Sequence, residues 1–282
     1  MIRIPIRIRH FPRFSSQLAV RSFVLARPSP RATTFHFCFF SCGSYFRYLY
    51  CSLHSLVDHA GGFPFTVQIF NDEEQPLSEP QIALIEALVP GVRVITWPKS
   101  MGWGVKQIDS IWKAYAMAAL DAADGDFIAR IDSDVFFFND RIFRAVARSD
   151  ADLIGDGHYV NFEYCQGGCY FLRASAVRQI NVMLEKESIE HVLSEGAVGV
   201  EDIAVYFFAK RLRLKIWLTW FMMFPDELRN AGGLTKWQRL KFSCLHFVMK
   251  NKTMMLETYK HEVLQGRTIE SYQKALDLGQ EP

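Results

Sequence analysis

The stretch IARIDSDVFFFND, residues 128–140, sets two carboxylates one residue apart inside a strongly apolar segment. The run Phe127 to Ile131 stops at Asp132-Ser133-Asp134 and resumes as Val135 to Phe138. Charges in such a setting are costly unless a partner neutralises them. Extended geometry at i, i+2 points both side chains the same way. An acidic turn and a divalent-cation site are both compatible with the triplet alone. Hard cations take carboxylate oxygens and keep positions free for substrate phosphates.

The elements around the triplet set its context. Phe35–Phe40, Phe65–Phe70, Val92–Thr96 and Phe127–Ile131 read as strands. Tyr45–His59, Ser78–Leu88 and Val105–Ala122 read as helices between them, with Leu49, Leu53 and Leu56 on one face of the first. Further on come a helix at Asp140–Ser149, a strand at Asp152–Gly155, a strand at Cys169–Arg173 with a helix from Ser175, the helix Ile203–Arg211 opened by Glu201-Asp202, and a strand-like 214–218. Strands alternating with helices predict an α/β fold with a mostly parallel central sheet flanked by helices. Ligands in such sheets bind at the carboxyl ends of strands near a switch in strand order. Asp72, Asp132 and Asp134 stand at such ends.

Composition bounds the rest. The chain has 282 residues, half of them apolar, and a net charge of +2. Residues 1–57 hold eight Arg and no acid, so the remaining 225 residues carry 24 basic against 30 acidic side chains. That net of −6 argues against nucleic-acid binding. Residues 1–33 are expected to be a basic, disordered tail, with a transit segment or a membrane-surface arm as alternatives; residues 34–282 are expected to form one catalytic domain. The longest apolar run, Ile216–Phe224, has nine residues, where a membrane span needs about 20; the expected location is cytoplasmic, with peripheral membrane contact through the basic N-terminus. Cys38/Cys42 and Cys165/Cys169 have the spacing of zinc-ligand pairs, but both lie in apolar runs where free Cys packs as a small hydrophobe.

Four pieces together resemble GT-A glycosyltransferases, enzymes that use nucleotide-sugar donors. DSD at a strand end resembles their D-x-D motif. YCQGGCYFLRASAV (164–177) resembles the glycine-containing segment that follows it, VEDIAVYFFAKRL (200–212) resembles their Glu-Asp helix start, and HFVMKNK (246–252) resembles the late His of manganese-dependent members. His246 and Lys252 keep the His-x5-Lys spacing, while Met249 replaces an expected Gly and Thr253-Met254 an expected Pro-Trp. The resemblance covers roughly residues 34–256 and echoes both retaining and inverting groups. It implies Mn2+ (or Mg2+) held by Asp134, His246 and Asp132, with Asp132 also serving the donor's ribose or sugar hydroxyls. Lys252 would meet the diphosphate, Asp72 the base or ribose, and Gly167-Gly168 would let backbone approach the sugar. Asp202 is the expected general base of an inverting reaction, with Glu201 beside it on the acceptor side; as residues alone, the pair is equally a helix cap at the positive end of the helix dipole. The donor is a nucleotide-diphospho-sugar, with UDP favoured, and the acceptor a glycan, lipid or protein hydroxyl. A sugar-phosphate nucleotidyltransferase would need a Gly-rich phosphate loop after the first strand, and FFSCGSYFR holds one Gly with Arg47 four residues on. A degenerate, non-catalytic scaffold would have lost a metal ligand.

Overall fold

The computed structural model describes residues 33–98, 104–159, 162–196, 198–225, 234–248, 251–265 and 269–279. The expectations for residues 1–32 and Met249 fall outside these residues.

Seven strands form the main sheet: β1 (Phe35–Ser41), β2 (Phe65–Asp72), β3 (Arg93–Trp97), β4 (Phe127–Ile131), β6 (Leu153–Tyr159), β7 (Glu163–Arg173) and β8 (Ile216–Thr219). Their order is β3-β2-β1-β4-β7-β6-β8. Pairing is parallel from β3 through β4 and between β6 and β8, and β7 runs against both neighbours. The sheet is thus mostly parallel and carries helices, as the alternation of elements predicts. The Phe-rich β1 is buried along most of its length, as befits a central parallel strand covered on both faces. Phe35 stacks on Phe37 and meets Phe143 and Phe171 edge-on, welding the sheet to the helix Arg141–Ala147.

Two of the differences from the sequence expectation bear on the site. β7 begins at Glu163 rather than Cys169 and includes Gly167-Gly168, where its register against β6 shifts between the pairs Gly155–Tyr170 and Gly157–Cys165. Its pairing with β4 continues past the end of that strand, because Gly168 O accepts the Asp132 N–H at 2.9 Å. The second difference is a small sheet, β5 (Val135–Phe137), β10 (Cys244–His246) and β9 (Met222–Met223), in the order β5-β10-β9. Strands of two or three residues are too short to leave a period in the sequence. The two sheets are tied by Asp156 of β6, wholly buried, whose Oδ2 accepts the N–H groups of Phe221 at 2.9 Å and Met222 at 2.8 Å.

Candidate active site

The parallel strands β1, β2 and β4 all end at one edge of the sheet. The chain order there switches from the β2 side of β1 to its β4 side, the point where open α/β sheets leave a crevice. A cleft of about 490 Å³ occupies it, walled by Phe40, Tyr45, Phe70 and Pro98 and carrying Asp72, Asp132, Asp134 and Lys252.

Asp132 to Val135 turns back on itself, with the Val135 N–H bonded to Asp132 O at 3.0 Å. β5 then pairs antiparallel with β10 so that Val135 faces His246, and the Phe247 N–H donates to Asp134 O at 2.9 Å. This register brings a histidine from 112 residues downstream beside the aspartates. His246 Nε2 lies 3.2 Å from Asp134 Oδ1 and 3.6 Å from Asp132 Oδ2. One ligand atom from each of Asp132, Asp134 and His246 lies within 4.8 Å of the other two. Lys252 Nζ approaches Asp134 Oδ2 at 3.2 Å, donates to Tyr45 OH and sits 3.9 Å above the Tyr45 ring. Burial by itself would raise the Asp134 carboxyl, but His246 and Lys252 hold it below its ordinary value. Burial likewise pulls Lys252 down, and the Tyr45 hydroxyl and Asp134 more than offset it, raising its pKa. Two carboxylates and an imidazole converging in this way form a mixed oxygen and nitrogen donor set that could hold a divalent cation.

The glycine pair supports the cluster. A Cβ on Gly168 would stand 2.4 Å from His246 Nδ1, so the imidazole lies flat against bare backbone. A Cβ on Gly167 would stand 3.2 Å from the Cβ of Asp202. Between them acts Gln166, which sequence reasoning missed: its Oε1 accepts the Gly168 N–H at 2.8 Å and its Nε2 lies 3.3 Å from His246 Nδ1.

Glu201 and Asp202 open the helix Glu201–Arg211 but face different surroundings. Glu201 is 2% exposed. Its Oε2 accepts from Arg130, and its Oε1 accepts from Tyr170 and, at 3.1 Å, from Tyr115. Burial pushes its carboxyl up to about 7 against the opposing pull of Arg130. Asp202 is half-buried in the first turn of the helix, its Oδ1 accepting the Ile203 N–H at 2.8 Å. Burial raises its carboxyl as well, with that N–H opposing. Arg130 also grips Asp132, with Nε and Nη2 at 3.0 and 2.9 Å from Oδ1. The signal for Arg130 was in the sequence: a lone arginine inside the run Phe127–Ile131 needs a buried acid. Tyr45, Tyr115 and Tyr170 left no such signal, because aromatic residues at strand and helix positions read as core. Asp72 lines the cleft, and its Oδ1 accepts the N–H groups of Glu74 at 2.8 Å and Gln75 at 3.1 Å. The cysteines Cys38, Cys165 and Cys169 are buried free thiols, and among the described residues the one group that gathers metal-ligand atoms is Asp132, Asp134 and His246.

This sheet, with its cleft at the switch point and an Asp-x-Asp at the end of β4, is the GT-A fold of glycosyltransferases. Among solved structures the chain is similar to the galactosyltransferase LgtC in complex with donor and acceptor sugar analogs, at 13% identity over 83% of this chain and 100% of that one, with a TM-score of 0.51. It is similar also to the bifunctional glycosyltransferase WbbM, at 10% identity over 88% of this chain and 53% of that one, with a TM-score of 0.53. At such identities the likeness is one of fold. No family model matches the chain, and no curated protein matches it in sequence.

Proposed function

We propose that the protein is a metal-dependent glycosyltransferase that moves a sugar from a nucleotide-diphosphate donor, with UDP favoured, to a hydroxyl of a glycan, lipid or protein acceptor. The observation that carries this reading is the convergence of Asp132, Asp134, His246 and Lys252 on the mouth of the switch-point cleft.

Asp134 and His246 would hold Mn2+ (or Mg2+), with Asp132 contributing Oδ2. A bound ion supplies Lewis acidity that offsets the charge building on the departing diphosphate. Lys252, anchored by Tyr45, adds a point charge for the phosphates. The walls Phe40, Tyr45 and Phe70 would give a nucleobase apolar contact, and Asp72 would offer a carboxylate to its polar edge or the ribose. Asp202, its proton affinity raised by burial, suits a group that takes a proton from an acceptor hydroxyl. In an inverting reaction that proton transfer accompanies attack on the anomeric carbon; in a retaining one Asp202 orients sugar hydroxyls, and the anomeric configuration of the product decides between them. Glu201, enclosed by Arg130, Tyr115 and Tyr170, acts through its neighbours rather than on the acceptor.

Two observations weigh against the other readings. A nucleotidyltransferase would direct Arg47 at the phosphates, but its side chain packs where a Cβ on Gly279 would stand, 2.1 Å from Arg47 Cγ. A degenerate scaffold would have lost a ligand, and all three converge. Purified protein with Mn2+ is expected to hydrolyse a UDP- or GDP-sugar slowly, and Asp134→Asn to abolish that activity. A broad donor panel showing neither metal-dependent turnover nor metal-dependent binding would overturn the proposal.

A further inference from the structure

Arg130 lies on β4 two residues before Asp132 and is buried. Its guanidinium serves two carboxylates from different parts of the chain. Nε and Nη2 meet Asp132 Oδ1 at 3.0 and 2.9 Å, and Nη1 donates to Glu201 Oε2. The far oxygen of Glu201 is fixed by the hydroxyls of Tyr170, from β7, and Tyr115, from the helix Val105–Ala119, and those hydroxyls lie 2.5 Å apart. Glu201 is followed directly by Asp202. An unbroken line of hydrogen bonds and ion pairs therefore runs from Asp132 to the residue beside Asp202.

We infer that Arg130, Glu201 and Tyr170 form a strut of positioning residues that fixes the donor-side carboxylate Asp132 relative to the acceptor-side carboxylate Asp202. The inference rests on the glycosyltransferase reading. The strut does two things. By occupying Oδ1, the Arg130 fork turns Oδ2 of Asp132 toward His246, so it selects which oxygen the metal site receives; partners behind a ligand commonly set its orientation in this way. By holding Glu201, it fixes the first turn of the helix that carries Asp202. Stability alone is a poor reason for such an arrangement, since a buried ion pair can often be replaced by apolar side chains without loss. Lysine would keep the charge but could not span both acids, because the geometry of the fork is what joins them.

The test compares wild type, Arg130→Lys, Glu201→Gln and Tyr170→Phe. It measures transfer to acceptor, donor hydrolysis by water, and Mn2+ affinity by calorimetry in the absence of donor. Thermal melts identify the folded variants. Tyr170→Phe removes one hydroxyl and keeps the ring, so it carries the test if Arg130→Lys does not fold. A strut predicts that, at saturating Mn2+, transfer kcat falls about 10- to 100-fold in each variant while donor KM moves less than about threefold. Donor hydrolysis, which needs no acceptor alignment, is expected to fall by less than about threefold in Tyr170→Phe, with Mn2+ affinity unchanged, whereas Arg130→Lys also weakens Mn2+ binding by about tenfold. Transfer and hydrolysis falling by one common factor, or transfer unchanged in folded Tyr170→Phe and Glu201→Gln, would overturn the strut while leaving the enzyme reading in place. Wild type that binds no Mn2+ and turns over no donor contradicts the enzyme reading itself.

Discussion

Asp134 is 6% exposed and has His246 on one oxygen and Lys252 on the other. These two partners offset the cost of burying the Asp134 carboxylate and hold its pKa below the ordinary value, while the positive charge for a diphosphate would come from Lys252 and a bound cation. Close packing sharpens the site. Gly168→Ala would drive a methyl into the imidazole, 2.4 Å from Nδ1, so His246 would have to shift. Mn2+ affinity by calorimetry is expected to fall by about 10-fold or more, with the fold retained by circular dichroism. Glu201 yields a prediction about pH. It faces Arg130, Tyr115, Tyr170, Asp202 and Asp132, and its carboxyl rises from an ordinary 4.5 to about 7. A raised carboxyl binds its proton more tightly in the folded state. Its contribution to stability is therefore full at low pH and is lost as pH rises from about 4.5 to about 7. Glu201→Gln cannot ionise, so its stability relative to wild type should improve between about pH 4.5 and about pH 7 in urea titrations. A constant difference across that window would contradict the assignment.

At the scale of elements, the site depends on a junction between two sheets. β4 supplies the Asp-x-Asp turn, β5 and β10 deliver His246, and β7 passes its glycine pair beneath both. Asp156 fastens the strip that bears β9 to β6 through two backbone N–H groups. Asp156→Ala would leave both buried donors unpaired. The expected loss is roughly 2–4 kcal/mol in urea unfolding, together with weaker Mn2+ binding, because β9 pairs with β10. Much of this level was legible in the chain. The long strands and helices announced themselves by apolar runs and periodicity, and the strand-end position of Asp132-Ser133-Asp134 followed. The small sheet did not, since pairings of two or three residues rest on tertiary register. The extension of β7 past Gly167-Gly168 was hidden for a related reason: glycine reads as a break, and the register against β6 does shift there, but the strand carries on, and the missing side chains make room for His246 and Asp202. The opposite fates of Glu201 and Asp202 could not be separated either, because adjacent residues at a helix start are told apart only by what packs against them.

Across the whole molecule, a mostly parallel sheet with one reversed strand gathers the cleft residues Phe40, Tyr45, Phe70, Asp72, Asp132, Asp134 and Lys252 at one edge, spread in sequence from Phe40 to Lys252. Residues so far apart in the chain meet only in the folded sheet, so the proposed nucleotide binding should be lost together with the fold rather than persist in fragments. No described helix is long and apolar enough to cross a membrane. The body of the chain carries more acid than base, yet the cleft pairs Asp134 with Lys252 beside a candidate cation site, which reconciles an acidic body with the anionic donor proposed for it. The most direct test of the account is calorimetric titration of UDP into the wild-type protein and Asp134→Asn, each with Mn2+ and with the metal chelated. The account predicts UDP binding to wild type only when Mn2+ is present and none to Asp134→Asn in either condition. UDP binding of equal strength with the metal chelated, or undiminished in Asp134→Asn, would contradict it.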